Sequence, residues 1–139
     1  MSAQAELQKL ILDTLKADAA VMALANGAYD RVPSSPWGPD SINGYISFGP
    51  TDVVEDDADC IISGEHTVQI DCWSRQVGMV HAKRMVDAVK AALHEQELTL
   101  AESALVDMRV TMRRVVADPD GLTSHGIVMI RAMIEEVET

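Results

Sequence analysis

The chain has 139 residues, carries 22 acidic against 11 basic side chains, and is 47% apolar. That length suits one domain, 1–139, whose core needs no disulfide or metal, and the apolar share excludes disorder and collagen-like repeats. The formal charge of −11 repels nucleic acid and anionic lipid at long range, so neither a DNA reader nor a peripheral membrane protein is expected.

A helix is predicted from Ser2 or Gln4, because Leu7, Leu10, Ile11 and Leu15 recur at helical spacing with Glu6, Lys9, Asp13 and Lys16 on the other side. Those charges interrupt the apolar stretch and no basic region precedes it, which is unlike a secretion signal. Assembly in the cytosol is the expectation, and Cys60 and Cys72 then read as small buried residues rather than a disulfide. No apolar run reaches about 18 residues, so no membrane span is expected. Asp18 suits the cap of a short turn over Ala19–Ala25, which Asn26-Gly27 ends.

Ala28–Val32 reads as a short strand, and the proline-rich stretch 33–44 as a loop holding Trp37. Tyr45–Val54 is the next strand, with Gly49-Pro50 marking a bulge or an edge. An acidic cluster at Glu55–Asp59 follows, and then a strand over His66–Ser74. In that strand Val68, Ile70 and Cys72 oppose Thr67, Gln69, Asp71 and Trp73. Gln76–Gly78 is a turn. Met79–Glu95 is a strong helix with an apolar stripe of Ala82, Met85, Val86, Val89 and Leu93, and His81 and His94 are expected to be partly exposed.

Leu98–Leu100 is ambiguous. Leu105–Val116 is a strand whose alternation sets Val106, Met108, Val110 and Met112 against Asp107, Arg109, Thr111 and Arg113. Asp118-Pro119-Asp120-Gly121 is a turn, and the chain returns over Thr123–Glu136 to complete a long hairpin.

The order helix, strands, helix, strands gives an α+β fold: a mainly antiparallel sheet with two main helices packed on one face. The last strand is apolar on both sides. Val128, Ile130, Ala132 and Ile134 share one face; Ile127, Met129 and Met133 share the other with Arg131. Two helices cover one face only, so a partner, most simply another copy, is expected to cover the second. Arg109, Arg113 and Arg131 are placed on that second face to pair with a neighbour's carboxylates, and Trp37, Trp73, Met129 and Met133 complete the candidate interface. The plain alternative is a solvated face overlain by long Met and Arg side chains.

No chemistry emerges from the motifs. Cys60, His66 and Cys72 match no zinc spacing. Asp56, Asp57 and Asp59 lack the calcium-loop pattern, and Asp118 and Asp120 are explained as turn residues. Ser124 and His125 should point to opposite faces, so they cannot act as nucleophile and base. No catalytic residue, cofactor or metal ligand is assigned.

An ordered set of segments resembles a family of small phage tail proteins: 29–33 (Tyr-Asp-Arg-Val-Pro), 56–60 (Asp-Asp-Ala-Asp-Cys), 64–75 (from Gly-Glu-His-Thr to Trp-Ser-Arg), the helix 82–94, 98–101 (Leu-Thr-Leu-Ala) and 118–126 (from Asp-Pro-Asp-Gly to Ser-His-Gly). It is similar to the tail terminator or tail completion proteins of long-tailed phages, prophages and the gene transfer agents of alphaproteobacteria. The resemblance implies an α+β sheet with packed helices and a non-enzymatic role. It also implies a hexameric ring on the tail tube that ends polymerisation and joins tail to head, with DNA passing through unbound. The implied partners are further copies, the tail tube protein and a head-tail connector or adaptor. A head-completion or connector protein, a monomeric adaptor, and a small enzyme or metal-binding domain are the competing readings.

Overall fold

The computed structural model describes residues 2–58 and 60–136; Asp59 of the acidic cluster lies outside the described residues. The elements in chain order are α1 (Ala3–Ala17), α2 (Ala19–Met22), β1 (Ala28–Tyr29), β2 (Gly44–Glu55), β3 (Ile62–Ser74), α3 (Val80–Leu93), β4 (Ala104–Ala117) and β5 (Ser124–Glu136). Ser2 caps α1, its Oγ accepting from the Ala5 amide at 3.2 Å. Asp18 ends α1 and caps α2, accepting from the Val21 amide at 3.0 Å. Both are short oxygen-bearing side chains that satisfy amides otherwise left open at a helix start.

The strands form a sheet of order β1-β2-β3-β5-β4. β1 runs parallel to β2, and every other pairing is antiparallel. The helices pack on one face. Leu7, Ile11 and Leu15 of α1 meet Met85, Val86, Val89 and Leu93 of α3 over Ile46, Ile70, Cys72, Val128, Ile130 and Ile134 of the sheet, all buried. This is the predicted α+β arrangement. Gly126 permits the close approach of α3: a Cβ there would lie 2.6 Å from the Val86 side chain. Gly121, at φ +73, makes the β4–β5 turn in a conformation other residues resist.

Three expectations change. The Ala28–Val32 strand shrinks to Ala28–Tyr29, because only Ile46 and Ser47 pair with it. His81 is 6% exposed rather than wet. Its Nε2–H donates to the Leu24 carbonyl at 2.7 Å, and its Nδ1 accepts from Ser74 Oγ at 2.7 Å, so one imidazole ties the segment after α2 to α3 and β3. Glu6 is 3% exposed, not on the wet face. Its carboxylate accepts from the amides of Glu102 at 2.6 Å and Ser103 at 3.3 Å, anchoring the approach to β4 onto α1.

Burial alone would raise the Glu6 pKa, but the hydrogen bonds from Ser103 and the Glu102 amide outweigh it and hold the carboxyl below its ordinary value of 4.5. With the folded value below the unfolded one, the unfolded chain binds more protons in the window between them. The stabilisation is therefore complete above about pH 4.5 and is lost as pH falls through the folded value. Glu6→Gln keeps the acceptor and removes the charge. The expected result is a variant less stable by about 1 kcal/mol at neutral pH, with a smaller loss of urea midpoint than the wild type between pH 5 and 3. Equal losses over that range would show that Glu6 contributes nothing to acid lability.

Candidate assembly surface

Face assignment follows from register, because residues directly opposite across a ladder share a face. Tyr45 lies opposite Trp73, and Trp73 opposite His125. Ser47, Asp71 and Ile127 form the next row with Arg114, Gln69 and Met129 the next with Met112, and Thr67, Arg131 and Arg109 the next. All lie on the face away from the helices. Ile127, Met129 and Met133 are half-buried there, and the loop between β1 and β2 reaches over one corner of it.

That corner is aromatic. Trp37 is folded back rather than projecting, edge-on to Tyr45 with centroids 4.9 Å apart, and the Arg75 guanidinium lies 4.1 Å over its ring. Trp73 stacks on His125 at 3.9 Å and donates from Nε1 to Ser47 Oγ at 3.0 Å. Asp71, 6% exposed, accepts from His125 Nε2 at 2.7 Å and from Gln69 Nε2 at 2.8 Å. Burial raises the Tyr45 pKa; Arg75 opposes the rise and Asp71 adds to it. These rings form a fixed polar-edged platform.

The seven predicted contact residues do not all meet. Trp37, Trp73, Met129, Met133, Arg109 and Arg131 border or lie on the open face. Arg113 does not. It sits opposite the core residue Val128, on the helix side, and pairs with Asp87 of α3. The cause is a pair of register shifts in β4, between Leu105 and Asp107 and between Val110 and Met112, which change the phase of the alternation. The second shift sends Met112 to the open face and Arg113 inward. Within the chain, Arg131 pairs with Glu65 at 2.9 Å and Arg109 with Asp107 at 3.5 Å, so carboxylates are already near both. Tyr45, His125, Ile127, Met112 and Arg114 also belong to this face. The period-2 pattern offered His125 and Ile127, but the others needed the strand register.

The titratable candidates are dispersed. Cys72 and His66 lie on the core side of β3, whereas Cys60, expected to be buried, is exposed in the turn before that strand. Burial pushes the Cys72 thiol far up and the His66 imidazole down. Ser124 faces inward, its Oγ donating to the Gly78 carbonyl at 3.2 Å, while His125 faces out. Among the described residues no group of three His, Cys, Asp or Glu side chains could hold a metal, and no helix is long and apolar enough to cross a membrane.

Known proteins place this architecture. The sequence profile of the family described as Tail completion protein gp17 matches residues 9–135. Among solved structures, the chain is similar to one in the virion of a native gene transfer agent particle. The two are 26% identical, the alignment covers 96% of this chain and 98% of that one, and the TM-score is 0.85. No curated protein sequence matches. With a sheet open on one side and a family match running through nearly every element, the chain belongs to the Tail completion protein gp17 family, the structural proteins of phage-type tails.

Proposed function

We propose that the chain forms a ring on the end of the finished tail tube, stops further tube growth and presents the surface to which the head side joins. The observation that carries this reading is the helix-free face of the sheet, with Ile127, Met129 and Met133 half-buried in the isolated chain. A face of that composition gains free energy when covered, and a repeated contact between copies is the simplest cover. Six copies are the count the family resemblance implies. Trp37, Trp73, Met129, Met133, Arg109 and Arg131 are the proposed contact set on or beside that face, and Arg113 acts from the helix side. The tail tube protein and a head-tail connector are the proposed partners, met during assembly in the host cytoplasm. The net charge of −11 suits a ring through which DNA slides, since phosphates find no net attraction there.

Disruption of the gene in the producing cell tests this. The expected particles are tails of excessive and irregular length, detached from heads, in negative-stain micrographs. Tails of normal length joined to heads would overturn the proposal.

A further inference from the structure

The two long edges of the sheet differ in charge and in what occupies them. β4 forms one edge and β2, past its short pairing with β1, the other. Between α3 and β4 runs a groove of about 550 Å³. Lys83, Lys90, Arg113 and Arg114 line it together with Val110 and Val115, and Asp87 is its one acid. Among the described residues Lys83 and Lys90 have no carboxylate partner, while Arg114 borders the groove from the open-face side of the edge. In a chain of charge −11 a groove this basic is the exception. On the opposite edge, β2 past Ser47 bonds to no strand on its outer side among the described residues, and its end and the residues just after it carry Asp52, Val54, Glu55, Asp56 and Asp57. Val54 is 62% exposed. Asp52 and Val54 lie on the open face, opposite Thr67 and Glu65.

We infer that the α3–β4 groove of one copy receives the acidic end of β2 from the next, and that this contact closes the ring. The inference rests on the ring reading. Copies related by rotation keep one orientation, so overlapping edges bring the helix side of one β4 against the open-face side of the neighbour's β2. That is the side from which Asp52 and Val54 project. Such a contact is head-to-tail and joins two different patches, as a closed ring requires. Register places Thr51 level with Val110 through Val68 and Ile130. The proposed contact slides the next copy's β2 along β4 from that level toward Val115. That shift lays Asp52 to Asp56 along Val110 to Val115, acids against cations, with Val54 entering between the valines.

Charge reversal tests the contact. Lys83→Glu with Lys90→Glu reverses the groove, and Asp52→Lys with Asp56→Lys reverses the edge; circular dichroism controls for folding. By native mass spectrometry and on purified tails, each reversed pair is expected to lower the ring population at least about tenfold, and the combination of all four to restore most of it. Carbodiimide linking of the wild type is expected to join Lys83 or Lys90 to residues 52–57. These edges lie three strand spacings apart, about 14 Å, so a zero-length link between them joins two copies. A groove-reversed chain that assembles like the wild type, or a combined variant that does not recover, overturns this contact and leaves the ring standing. A wild type monomeric both in solution and on tail ends overturns both.

Discussion

Replacing Met112 and Met129 together by aspartate is expected to abolish attachment to tails while leaving the chain folded. The two face each other across β4 and β5 on the open side, both half-buried. In the free chain the new carboxylates sit between Arg109 and Arg131 on one side and Arg114 on the other, cations that accommodate them. In the proposed assembly they remove the apolar centre of the face to be covered. Covering the exposed half of each methionine is worth about 1 kcal/mol, and burying a carboxylate in its place costs at least about as much again, so the pair weakens attachment by more than about 100-fold. Binding of the purified variant to tails from cells lacking the wild-type gene measures it, with far-UV circular dichroism as the control. Attachment at wild-type strength would mean that water, not protein, meets this face in the particle.

The second result concerns the other side of the same strand. Ile130→Ala is expected to cost about 2–5 kcal/mol, because Ile130 is fully buried, stands between Val68 and Val110, and leaves a cavity that helices on a sheet cannot close. For a chain of this length that lowers the melting temperature by roughly 10 °C. Met129→Ala, one residue earlier and on the open face, should cost only a fraction of that. Urea titrations of the pair, read at constant slope, measure the asymmetry of the sheet. Equal losses would contradict a core confined to the helix side.

The features the amino-acid order announced are those set by near neighbours. Gly49-Pro50 marked a break in β2, and the register shifts between Phe48 and Thr51. Asp118 to Gly121 marked the β4–β5 turn, where the Asp120 carboxylate accepts from the Leu122 and Thr123 amides, both at 2.8 Å. The stripes of α1 and α3 pointed to the core that both helices enter. What stayed hidden depends on distant partners. Glu6 finds its donors 96 and 97 residues away, which no periodicity records. Arg113 lies inward because β4 slips register between Val110 and Met112, and an alternating string of Val, Met and Arg reads equally well in either phase. Trp37 could be placed in its loop, but its seat against Tyr45 and Arg75 required the three-dimensional path of the chain. The candidate surface was thus anticipated as a face, with two of its methionines and two of its arginines, while its aromatic corner was mostly out of reach.

The end of α3 has a consequence for how such a protein can be stored before use. Its cap, His94, accepts from the Val110 amide through Nδ1 at 2.9 Å, and the Glu95 amide donates to the Met108 carbonyl at 3.0 Å. These bonds plug the middle of β4, the strand whose outer margin would otherwise template another ribbon. On this edge, at least, a newly made chain awaiting its tail offers no continuous ladder for zipping into fibrils, because α3 interrupts β4 at its middle.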